Sequence, residues 1–115
     1  MSKEDEVSLF LKRFKEKAKI FGIIFRDDRG KNAQALFDLE ITAIKRLEIV
    51  MNLEVEDFVE GPLKDTLNKK TDLWVFGKKV KSQDVYIKIT MGITGNSAVC
   101  ISFHITEYKL VYQFK

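Results

Sequence analysis

Four side chains in the last third of the chain, Tyr86, Lys88, Ser102 and His104, are of types that together do acid–base chemistry on a charged substrate. They fall in two alternating runs. In the first, Val85, Ile87, Ile89 and Met91 alternate with Tyr86, Lys88 and Thr90. In the second, Val99, Ile101, Phe103 and Ile105 alternate with Cys100, Ser102, His104 and Thr106. Period-two alternation predicts half-buried strands with the apolar set facing a core. Gly92 to Ser97, with two glycines and Asn96, is the loop that joins them. Residues directly opposite across a hairpin share a face, so even positions pair with even. A register joining Ile89 to Ile101 sets Tyr86 opposite His104 and Lys88 opposite Ser102. A register shifted by two sets Tyr86 opposite Ser102 and Lys88 opposite Cys100. Both gather Tyr86, Lys88, Ser102 and His104 on one exposed sheet face.

Such a set suits RNA cleavage without a metal. A base takes the proton of the ribose 2′-OH, an acid protonates the leaving 5′-oxygen, and a cation balances the phosphate. Histidine serves as acid or base near neutrality, tyrosine donates a proton or a hydrogen bond, and lysine holds charge. The catalytic candidates are therefore Tyr86, His104 and Lys88. Against this stands the plain expectation that any half-buried strand carries polar residues outside. Cys100, expected on the same outer face, opens a Cys–His nucleophile as a lesser alternative. Asp27-Asp28 has no nearby His and reads as a solvated turn, so neither a metal nor any other cofactor is expected.

These strands need a scaffold. Val7, Phe10, Leu11, Phe14, Ala18 and Phe21 predict an amphipathic helix over Asp5 to Phe21, ended by Gly22. Its apolar stripe fits a core, or a groove on a partner. Ile23-Ile24-Phe25 reads as a short buried strand, and Asp27 to Gly30 as a turn. Asn32 is expected to cap a second helix to about Asp38. Thr42 is expected to cap a third with Ile44, Leu47, Val50 and Met51 on one side. Val55 to Glu60 reads as one more helical turn, stopped by Gly61-Pro62. Leu73 to Phe76 is strand-like, and Gly77-Lys78-Lys79 is expected to break it. Helices first and an antiparallel meander afterwards predict an α+β fold in a single domain over residues 1–115.

The chain's 115 residues are 45% hydrophobic and 32% charged, which provides both a core and a wetted surface. A single cysteine cannot build a disulfide framework. No apolar leader follows Met1, and no stretch approaches the ~18 apolar residues of a membrane span. A cytoplasmic protein without a membrane partner is expected. The net charge of +3 is small, but it is unevenly spread. Phe10 to Lys31 holds eight basic residues and three acidic ones, and Leu63 to Lys88 holds seven lysines and three aspartates. Glu48 to Glu60 holds five acids and no base. Basic clusters attract phosphate, although an ordinary solvated face has the same composition. Lys78, Lys79 and Ser102 are candidates for RNA binding.

Asp84 to Thr90, followed by Val99 to Phe103, resembles the last two strands of MqsR-type toxins of bacterial toxin–antitoxin systems. Asp57-Phe58, Leu73-Trp74, the strand before Arg26 and the Ala35-Leu36 helix are compatible, so the resemblance runs loosely from Ile23 to His104. It implies a RelE-like α+β fold and an endoribonuclease that cuts mRNA and is silenced by a cognate antitoxin protein. It also implies an active-site role for Tyr86. The family's second candidate, a lysine, falls on His104, which keeps a proton-carrying group. A family glutamine falls on Val75 and a family lysine near Glu60, and Lys64 could supply the missing cation for RNA. The tail from Thr106 to Lys115 extends past the family's usual end. The alternative is a non-catalytic RNA- or protein-binding α+β module.

Overall fold

The structure, a computed structural model, describes residues 1–64 and 71–115. Helix α1 (Lys3–Phe21) starts where the Ser2 hydroxyl accepts from the Asp5 amide, at 3.1 Å, and Glu4, Asp5 and Glu6 sit at its positive end. It stops at Gly22, whose φ of 80° lets the chain turn away. Strand β1 (Ile23–Phe25) follows, then a 3₁₀ turn at Asp27–Arg29, then helices α2 (Lys31–Leu39) and α3 (Ala43–Met51). Strands β2 (Phe58–Leu63), β3 (Leu73–Val80), β4 (Gln83–Thr90) and β5 (Ala98–Ile105) complete an α+β fold. The sheet order is β1-β5-β4-β3-β2, antiparallel except where β1 runs parallel to β5.

The helices cover one face of the sheet. Phe10 stacks on Trp74 at 4.5 Å, and Phe14, Phe58, Phe76, Ile87, Ile89 and Phe103 fill the space beneath. Val75, Ile101 and Leu110 are also buried, but they lie outside this core, on the opposite face.

Several expectations need correction. Ile23 to Phe25 is an edge strand with Ile24 exposed. Asn32 caps nothing. It is 2% exposed within α2, donates to the carbonyls of Arg26 and Ile101, and accepts from the Phe103 amide. Thr42 does cap α3, accepting from the Lys45 amide. The face α3 buries is Arg46, Ile49 and Val50, with Ile44 and Leu47 exposed. Arg46 is acceptable inside because Asp27 grips it at 2.7 and 3.1 Å and the Phe25 ring lies 3.9 Å away.

Val55–Asp57 is a 3₁₀ turn that leads into β2, so Gly61-Pro62 lies inside a strand. Nor does Gly77 break β3, which runs on to Val80. The turn is Lys81-Ser82, both with positive φ, the geometry of a tight two-residue hairpin.

Candidate active site

Strands β4 and β5 pair Tyr86 with His104 and Lys88 with Ser102, the first of the two expected registers. The Tyr86 and His104 rings stack at 5.3 Å, tilted by 14°. Beyond Lys88 the register slips by one. Ile89 faces Cys100 and Thr90 faces Val99, so Ile101 is an extra residue in β5. The bulge turns Cys100 over. Its side chain is fully buried in the core, not on the outer face, and burial pushes its thiol up to about 12. That removes the Cys–His nucleophile, because a buried, protonated thiol neither attacks nor reaches substrate.

His104 is half-buried, with Nδ1 3.1 Å from the Ile105 carbonyl. A carbonyl can only accept, so Nδ1 carries the hydrogen, and in the neutral ring Nε2 then presents the lone pair. That tautomer makes His104 a base. The ring also borders a cavity of about 460 Å³ beside Gly30, Lys31 and Gln34, at the start of α2. Burial pushes the Tyr86 phenol up to about 12, and Tyr108 and Glu60 add to the effect. A phenol held so high stays protonated at neutral pH and acts as a donor. Lys88 is half-buried between Ser102 on β5 and Val75 on β3, and Ser102 is buried.

The RNA-binding candidates do not gather. Lys79 lies on the same face as Tyr86, with Asp84 at 4.0 Å. Lys78 points to the opposite face, where the buried Asp57 carboxylate holds it at 3.1 Å. Lys64 follows β2 at the other edge of the sheet from β1, with β3 and β4 between β2 and β5. Lys69 and Lys70, part of the second basic stretch, lie outside the described residues. Arg26, not singled out as a site residue, lines a cavity of about 350 Å³ with Ile24, Thr90, Val99 and Ile101. The Asp28 carboxylate holds its guanidinium at 3.1 Å through two hydrogen bonds and raises its pKa. Its place follows from β1 lying parallel beside β5, a pairing between distant segments that local periodicity does not reveal. Among the described residues, no three His, Cys, Asp or Glu side chains are grouped to hold a metal ion.

The tail was not expected to touch this face, yet it crosses it. The Thr106 amide donates to the Asp84 carbonyl, and Glu107 meets Lys31 at 2.6 Å. Tyr108 packs edge-on against Tyr86 at 6.3 Å, and Leu110, 4% exposed, sits over Gly77. The Gln113 amide and side chain then donate to the Phe58 and Val59 carbonyls, and Phe114 stacks on Phe58. A Cβ on Gly77 would lie 2.5 Å from Leu110 Cδ1 and 2.6 Å from the Tyr112 hydroxyl. The glycine that resembled a strand break is the flat place on which this strap lies. The signal for it was present: Tyr108, Leu110, Tyr112 and Phe114 repeat at every second position.

Compared with models of known protein families, with curated proteins and with solved structures, the chain matches none of them. No helix among the described residues is long and apolar enough to cross a membrane.

Proposed function

We propose that this chain is an endoribonuclease that cleaves mRNA by attack of the ribose 2′-OH and works without a metal. The observation that carries the reading is the stacked Tyr86–His104 pair, with Lys88 one cross-strand pair away. His104 Nε2 takes the 2′-OH proton. The 2′-oxygen bonds to phosphorus, the bond from phosphorus to the 5′-oxygen breaks, and the Tyr86 hydroxyl protonates the departing oxygen. The imidazolium of His104 then releases its proton to the medium and the tyrosinate regains one from it, which restores both groups. Lys88 offsets the charge that builds on the phosphoryl oxygens. The products are a 2′,3′-cyclic phosphate and a 5′-hydroxyl.

In the RelE-like setting that the strand sequences resemble, such an enzyme is the toxin of a toxin–antitoxin pair in the bacterial cytoplasm, neutralised by an antitoxin protein. The test is to incubate purified chain with a defined RNA in EDTA and examine the product ends. Cyclic phosphate ends are expected, and cleavage that EDTA stops and magnesium restores would overturn the mechanism. One observation favours the second reading, a binding module without catalysis: the tail lies across the face that RNA would have to reach. Tyr86→Phe separates the two. A catalyst loses its rate and keeps its RNA affinity, whereas a module has no rate to lose.

A further inference from the structure

The tail crosses the sheet as an extended segment, with alternate residues turned inward. Leu110 is buried while Lys109 and Val111 are exposed, and Tyr112 and Phe114 are half-buried while Gln113 is exposed. Its seat is prepared in the sheet. Gly77 leaves room for Leu110 and the Tyr112 hydroxyl, Tyr86 offers a ring to Tyr108, and at the β2 edge Phe114 leaves this face to pack on Phe58 of the core. A surface ion pair, Lys31 with Glu107, and the Thr106 amide on the Asp84 carbonyl tie the start, and two hydrogen bonds from Gln113 and the packing of Phe114 on Phe58 tie the far end. Exposed ion pairs add little, and ordering ten residues opposes the apolar gain from Leu110 and the three rings.

We propose that Thr106 to Lys115 is a displaceable strap that competes with RNA for the Tyr86 end of the active face. This rests on the ribonuclease reading above and adds its regulation. Seated, the strap occupies the ground beside Tyr86 and Gly77 where a nucleotide would lie. Released, it leaves the strands and their side chains as they were. Competition of this kind divides the apparent dissociation constant by the fraction of molecules that are open, which weakens binding, and leaves the chemical step alone. The strap should therefore act on KM and spare kcat.

A chain ending at Thr106 is the test, because it removes the strap and leaves every residue of the sheet as it was. Leu110→Ser is the second variant, which loosens the strap without truncation and decides the matter if the shortened chain unfolds. Release is read without activity, by ultraviolet titration of the tyrosines and by amide exchange at Gln113. In released variants the Tyr86 phenol should titrate below its seated value of about 12. Faster exchange at Gln113 marks release in the variants that retain it. Expected with release is a fall in KM of about ten-fold, with kcat unchanged within about two-fold. Release with an unchanged KM overturns the strap and leaves the ribonuclease reading standing. A fall in kcat makes the tail a structural support and overturns the strap as well. Absence of cleavage in every chain, released or not, removes the ribonuclease reading and the strap with it.

Discussion

In the proposed mechanism His104 and Tyr86 take different roles because their surroundings differ. The Ile105 carbonyl fixes the His104 tautomer, and burial under Tyr108 keeps the Tyr86 hydroxyl protonated. His104→Ala is expected to lower the cleavage rate by about 10²–10⁴-fold with RNA affinity nearly kept, as removal of a general base does. His104→Lys should recover part of the rate, because an amine can also carry a proton. A folded, fully active Ala variant would take His104 out of the mechanism. The raised values of Tyr86 and Cys100 carry a sign for stability. Both groups stay protonated in the fold at pH values where the unfolded chain has lost those protons. Their contribution is whole below about pH 8.5, the free thiol value, and falls as pH rises toward about 12. Urea midpoints should therefore drop steadily from pH 8 to pH 11, and a flat profile would contradict the assignment. Cys100 should resist alkylation until the chain unfolds.

At the scale of elements, what could be read in advance was local, and what could not was made by distant contacts. The β4–β5 hairpin and the body of the first helix follow from period over a few residues, whereas period alone left two registers open, Tyr86 opposite His104 or opposite Ser102, and placed the helix start at Asp5 and not after Ser2. The bulge at Ile101 breaks no local pattern, since Val99 and Cys100 alternate equally well facing either way. The flip of Cys100 therefore lies in hydrogen bonding to β4 that the sequence does not display. Asn32 looked like a cap because caps are what Asn usually does before a helix. Its partners, Arg26, Ile101 and Phe103, come from β1's end and from β5. On α3, Arg46 took the inward position that Ile44 and Leu47 seemed to claim, because Asp27 and Phe25 were waiting for a guanidinium. Asn32→Leu would leave the Ile101 carbonyl and the Phe103 amide buried without that partner. It should cost about 2–4 kcal/mol, measurable by chemical denaturation. A loss below ~1 kcal/mol would mean that water replaces the amide.

Taken whole, the molecule is a sheet with two unlike sides. One is sealed by three helices over a phenylalanine-rich core, and the other carries the candidate chemistry beneath its own tail. Changes on the helix side should act through stability, and changes on the strap side through access. The parallel pairing of β1 with β5 has a further consequence, for the order in which the protein can be made. Ile23 and Phe25 have no partner strand until Ala98 and Cys100 exist, and Asn32 has no lock until Ile101 and Phe103 do. The first and last thirds of the chain must meet across about two thirds of its length, and closing so long a loop is slow. During synthesis the early helices are expected to wait, loosely collapsed, until the last strand leaves the ribosome. A nascent chain halted before Ala98 should show no protected β1 amides, so the face on which the ribonuclease is proposed would exist only in molecules whose last strand has been made.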